Sequence, residues 1–153
     1  MILQLDESEI WDLVDRALHA HLGCSAGGRT YVVPISYARD GKRLLGLTTT
    51  GRKVEMMREN PEVCVQVEEV KSLTDWKSVV LWGRYEELSG AERTQATGLL
   101  IDRYGPGFAE GGDDARRGRS VTPPRLDGQA QPLVVYAIHV TEFSGRAEAR
   151  REN

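Results

Sequence analysis

Apolar positions recur at helical spacing in three places along the chain, and elsewhere they alternate or run together as they do in strands. Asp6-Glu7-Ser8-Glu9 sets a cap and its capping-box glutamate ahead of Ile10, Leu13, Val14, Ala17 and Leu18, which predicts a first helix over 7–20. His19 and His21 then fall at its last turn, where imidazole suits the negative dipole end, and Gly23 ends the helix or turns the chain. A weak strand at 22–26 is closed by Gly27-Gly28, a hairpin signal that leads into a strongly β-forming second strand over 29–38. Asp40-Gly41 is a second hairpin turn, and Lys42 to Leu47 forms the third strand.

The second half repeats this alternation of strand and helix. Residues 51–59 read as a short helix with Val54 and Met57 inward and Glu55 and Arg58 outward, stopped by Asn60-Pro61. Val63, Val65 and Val67 alternate with Glu62, Cys64 and Gln66, a half-buried fourth strand. After a turn near Lys71-Ser72, a long fifth strand covers 76–88; its apolar run predicts burial on both faces, and Gly83 predicts a bulge or close approach. Ser89 and Glu92 cap a third helix to Tyr104, which Gly98 weakens without breaking. Residues 105–131 form a long loop with basic residues at Arg116, Arg117 and Arg119, and Leu133 to Val140 is the last strand. The expected organisation is one domain over 1–145 with a charged tail, 146–153, that frays. Six strands joined mostly by hairpins predict a mainly-β fold, a small antiparallel barrel decorated by helices.

Composition narrows the function classes. The 153 residues, 40% of them hydrophobic, suffice for one core and are too few for two ordinary ones. A formal charge of -3 with scattered basic residues argues against nucleic acid as a partner. There is no run of 18 apolar residues and the N-terminus is polar and acidic, so the expectation is a soluble, cytoplasmic protein without membrane contact. Cys24 and Cys64 lack CxxC spacing and read as buried thiols. No GxGxxG, Walker loop or nucleophile elbow is present, which argues against a hydrolase working with side chains alone.

The chemistry concentrates after the third strand, at Thr48-Thr49-Thr50-Gly51-Arg52-Lys53. A strand that breaks into hydroxyls and glycine before a helix aims backbone N–H groups and the positive dipole end at one point. Arg52 adds a planar fork and Lys53 a mobile charge, so phosphate binding is one reading; a plain helix cap with a solvated Arg-Lys pair is the other. Pro34 cannot donate within a ladder, which makes Pro34-Ile35-Ser36 a candidate binding edge.

Four segments in order carry a family resemblance: Tyr31-Val32-Val33-Pro34, the Thr48–Lys53 loop, Asn60-Pro61-Glu62-Val63-Cys64, and Trp76 to Arg84, followed by Glu142 to Arg146. Together they resemble the pyridoxamine 5′-phosphate oxidase-related, FMN-binding split-barrel superfamily, in its short branch similar to nitroimidazole-resistance proteins. The resemblance implies a six-stranded antiparallel split barrel in which Thr48, Thr49, Arg52 and Lys53 hold the FMN phosphate. It also implies that Val33, Pro34, Ile35 and Ser36 run alongside the ring, and that Ser78, with Val79 beside it, reaches the cofactor of a partner chain in a homodimer. Trp76 and Trp82 are then interface candidates. Leu47-Thr48 stands where nitroimidazole reductases often carry histidine, and the biosynthetic oxidase's C-terminal Arg and Trp have no match after Val140. Neither substrate is therefore assigned.

The leading expectation is an FMN-dependent oxidoreductase acting on a small molecule; no metal and no catalytic acid or base is implied. The alternatives are a flavin storage or sensing protein, or a split barrel binding deazaflavin (F420) or haem, for which His139 is the axial-ligand candidate.

Overall fold

The computed structural model describes residues 1–110 and 132–149. A short strand, β1 (Ile2–Gln4), precedes helix α1 (Glu7–Arg16), and the chain continues through β2 (Ala20–Ala26), β3 (Arg29–Ile35), β4 (Ala38–Asp40) and β5 (Arg43–Thr49). Helix α2 (Arg52–Glu59) leads to the long strands β6 (Glu62–Ser72) and β7 (Asp75–Glu87). Helix α3 (Gly90–Tyr104), a 3-10 turn at Pro106–Glu110 and the last strand, β8 (Leu133–Glu148), complete the described chain. The strands form one antiparallel sheet in the order β3-β2-β6-β7-β8-β5-β4, with β1 on β8, in keeping with a split barrel.

Eight strands are present among the described residues, two more than the sequence pattern predicts. The expected second strand divides into β3 and β4 at Ser36-Tyr37, and the three-residue β1 escapes a periodicity reading altogether. The expected fraying of the 146–153 tail is corrected as far as Glu148, and 150–153 lie outside the described residues. From Gly145 to Glu148 the chain lies between β7 and β1, with Arg146 opposite both Ser78 and Gln4, so pairing on two sides holds it extended. The Arg116–Arg119 cluster lies outside the described residues.

Local chemistry explains the boundaries. The capping box at α1 is complete: Glu9 N–H donates to Asp6 Oδ1 at 2.8 Å and Asp6 N–H to Glu9 Oε2 at 2.9 Å. The helix nevertheless ends at Arg16, earlier than its apolar spacing suggests, because tertiary donors take its last carbonyls. Tyr37 Oη–H donates to Val14 O, Arg103 to Ala17 O, and Tyr104 Oη–H to Leu18 O at 2.8 Å. His19 therefore sits in the connection and His21 in β2, and neither caps the helix. Ser89 occupies the N-cap of α3 but makes no side-chain cap bond, so that capping box is not formed.

Two apolar clusters fill the fold. Ile10, Leu13 and Val14 of α1 pack with Leu22, Val65, Val79, Leu81 and Tyr136, while Ala96, Leu100 and Phe108 pack with Leu45, Leu47 and Val135. On β7, Val79, Leu81 and Tyr85 face the core but Trp82 is 41% exposed and Arg84 is in solvent, so burial on both faces does not occur within one chain. Gly83 does sit at a register shift, and a Cβ there would lie 2.6 Å from His139 O.

Tyr37 ties α1 to the segment after β3. It is fully buried, and burial pushes its hydroxyl up to about 12, so it remains a donor at any ordinary pH. Tyr37→Phe leaves the Val14 carbonyl without that donor and is expected to cost about 1–3 kcal/mol in unfolding free energy, read by urea denaturation.

Candidate functional site

β5 is buried from Leu44 to Thr49 and delivers the Thr loop at a sheet end, where Thr48 pairs with Val134 and Thr49 with Leu133. Both hydroxyl residues are buried, and Thr48 Oγ1–H donates to Thr49 O at 3.3 Å. Thr50 N–H is tied to Pro132 O at 3.2 Å, which fixes the loop against the start of β8. Gly51 is the N-cap of α2 and has no side chain to bond the amides behind it. The first intrahelical bond runs from Glu55 N–H to Gly51 O, so the N–H groups of Arg52, Lys53 and Val54 precede it.

The two cations that open α2 go to different places. Arg52 is exposed, with its guanidinium carbon 5.9 Å from the ring centroid of Tyr31 on β3. Lys53 is half-buried and lies near Cys24 on β2, where its charge opposes the rise that burial imposes on that thiol. Cys24 pairs with Tyr31 across β2 and β3, so the start of α2 is seated over this hairpin. In the sequence Tyr31 is only part of a motif; its ring under Arg52 follows from strand alternation with Arg29 and Val33.

This donor set suits a phosphate. It combines the first amides of a helix with two cations of complementary geometry, and the buried Thr48 and Thr49 end the strand that leads into it. A Cβ at Gly51 would meet nothing within 4 Å, so the approach to those amides is open.

The other predicted site residues divide between surfaces. β3 is the sheet edge, and Pro34 is exposed opposite His21, as a proline that cannot donate requires. Val33 is half-buried, while Ile35 and Ser36 are buried. Val79 is wholly in the core, which leaves only its backbone to meet a ligand. Ser78 lies on the opposite face of β7 and accepts from Gln66 Nε2 at 3.1 Å. Ser78 pairs with Arg146 on β8, whereas Thr49 pairs with Leu133 near the other end of that strand, on the order of 40 Å away along it, so the structure does not bring Ser78 to the Thr–Arg–Lys cluster of its own chain.

The outer face of this sheet carries a groove of about 350 Å³ lined by Gly23, Cys64, Val32 and Trp82, among others. Val32 is 62% exposed there. Trp76 is half-buried and donates from Nε1 to Glu148 Oε2 at 3.2 Å. His139 is 3.0 Å from Glu86 Oε2 through Nε2. Among the described residues no cluster of three or more His, Cys, Asp or Glu is placed to hold a metal, and no helix is long and apolar enough to cross a membrane.

The sequence profile described as pyridoxamine 5′-phosphate oxidase matches residues 6–147. An uncharacterised protein of Rhizobium meliloti is 36% identical over 138 residues, covering 87% of this chain and 86% of that protein. Among solved structures, an FAD-binding protein of Mesorhizobium loti is similar with TM-score 0.74 and 28% identity over 98% of each chain. A putative 5-nitroimidazole antibiotic resistance protein of Bacteroides thetaiotaomicron has TM-score 0.69 and 18% identity, covering 96% of this chain and 87% of that one. The haem storage protein HutZ of Vibrio cholerae shares the fold, with TM-score 0.67 and 16% identity over 90% of this chain and 92% of its own. The profile spans both the Thr–Arg–Lys loop and the completed β8, and on that ground the chain belongs to the pyridoxamine 5′-phosphate oxidase family, within the split-barrel fold it shares with these structures.

Proposed function

We propose that the protein is a flavoprotein that holds the FMN unit of its cofactor through the phosphate, and that it works as a soluble, cytoplasmic oxidoreductase on a small molecule. The observation that carries the reading is the start of α2, where Arg52 and Lys53 open the helix above the β2–β3 hairpin directly after the buried Thr48 and Thr49; in this reading these residues and the first amides form the phosphate cradle. The FAD-binding neighbour from Mesorhizobium loti supports a flavin in particular. When bound, a flavin supplies reversible hydride transfer at its N5. The chain then needs no acid or base of its own to make the hydride step possible. Arg52 and Lys53 neutralise the phosphate, and the edge backbone from Val33 to Ser36 orients the ring. Buried Ile35 beside them excludes water.

In this reading Ser78 serves the site of a second copy, because it stands too far from the cradle of its own chain. The groove with exposed Val32 and Trp82 is where that copy docks to form a homodimer. Haem is disfavoured because the histidine available as an axial ligand, His139, faces Glu86 instead. The test is the visible spectrum of purified protein after incubation with FMN or FAD and removal of the excess, followed by NAD(P)H addition. Retained oxidised-flavin bands that bleach with the donor support a flavin oxidoreductase; bands that persist with every donor and substrate tried support storage, and colourless protein rejects the flavin.

A further inference from the structure

Beside the phosphate cradle lies a second hollow, of about 220 Å³, lined by Ala26, Arg29, Arg52, Glu55, Met56 and Glu59. Most arginines of the described surface are engaged elsewhere. Arg16, Arg39, Arg43, Arg58 and Arg84 are each ion-paired with a carboxylate, and Arg93 and Arg103 donate to backbone carbonyls. Arg29, Arg52 and Arg146 do neither among the described residues, and of these Arg29 and Arg52 share one hollow with Glu55 and Glu59, which are themselves without an ion pair there. Two cations and two carboxylates left apart around one opening keep all four groups available to something else.

The set matches one chemistry. A guanidinium grips phosphate with a planar fork, and a carboxylate accepts from the hydroxyls of a ribose. Met56 adds a polarizable apolar contact suited to a flat base. The strand also puts the groups in a sensible order. Arg29, Tyr31 and Val33 alternate onto one face of β3 and span about 13 Å from first to last. Val33 stands at the end assigned to the ring, Tyr31 lies beneath Arg52 at the phosphate, and Arg29 comes next, beyond it.

We infer that this hollow takes the second phosphate and the adenosine ribose of a flavin dinucleotide, so that the chain selects FAD over FMN. Arg29 holds the second phosphate, and Glu55 and Glu59 hold the ribose diol. The inference rests on the flavin reading above and adds to it the identity of the nucleotide.

The experiment titrates FMN and FAD separately into the full-length, flavin-stripped protein, with binding read by quenching of tryptophan fluorescence. FAD is expected to bind at least tenfold more tightly than FMN. Arg29→Ala and, independently, Glu59→Gln are expected to remove most of that margin while FMN affinity stays within twofold. Both side chains are exposed, so neither substitution touches the core. Equal affinity for FMN and FAD in the unaltered protein, or a margin that survives both substitutions, overturns the dinucleotide assignment and leaves the flavin reading standing. Binding of neither nucleotide overturns the flavin reading, and this inference with it.

Discussion

Replacing Arg52 and Lys53 together with alanine is expected to weaken flavin binding by about 3–6 kcal/mol, taking roughly 1.5–3 for each charged hydrogen-bonding group. That corresponds to roughly two to four orders of magnitude in Kd, measurable by calorimetric titration of the stripped protein. Both residues open α2, and neither belongs to the two apolar clusters, so the melting temperature of the cofactor-free variant should stay close to that of the parent. The separate contributions differ in kind. Arg52→Lys keeps the charge but loses the fork and the stacking on Tyr31, so it should recover only part of the loss. Unchanged affinity in the double variant would remove the phosphate assignment, because no other pair of cations adjoins the Thr loop at a helix start among the described residues.

Where local chemistry dominates, the fold was readable in the sequence. The capping box at Asp6 and Glu9, the Gly27-Gly28 turn with both φ angles positive, and the Gly41 turn all form where the residues put them. The Thr loop was legible for the same reason, since a strand, a glycine and a short amphipathic helix are each local signals. What the sequence could not supply came from distant partners. The end of α1 depends on Tyr37, Arg103 and Tyr104, which lie 20 to 88 residues away in sequence. The run from Gly145 to Glu148 reads as a polar tail until β1 and β7 are placed on its two sides.

The long fifth strand shows a different limit. Val79, Val80 and Leu81 in succession suggest a strand covered on both faces, yet Trp82 and Val32 are left partly in water. A second copy over that face, the arrangement proposed above for Ser78, would reconcile the pattern with the structure. At the cradle the sequence pointed to Arg52 and Lys53 but not to Arg29, because a lone arginine after a glycine turn carries no motif. The hollow it shares with Arg52, Glu55 and Glu59 singles it out.

Gly46→Ala is expected to destabilise the fold by about 3 kcal/mol, the upper end of ordinary overpacking, and to weaken cofactor binding with it. Gly46 pairs with Tyr136 across β5 and β8, and a Cβ at Gly46 would lie 2.3 Å from Tyr136 Cζ. The ring cannot swing away easily, since Tyr136 is itself buried and tilted against Tyr85 at a centroid distance of 5.5 Å. Strain therefore passes into the β5–β8 ladder, two residues before Thr48, and displaces the hydroxyls from the start of α2. Tyr136→Leu removes the clashing ring atoms, so the double variant should be more stable than the sum of the single effects by at least about 1 kcal/mol. Tyr136→Phe keeps Cζ and Cε1 and should give no such relief. Urea denaturation of the four proteins measures the coupling; simple additivity in the Leu cycle would show that the two strands absorb the added carbon by moving apart, and the predicted loss of flavin affinity would then be absent as well.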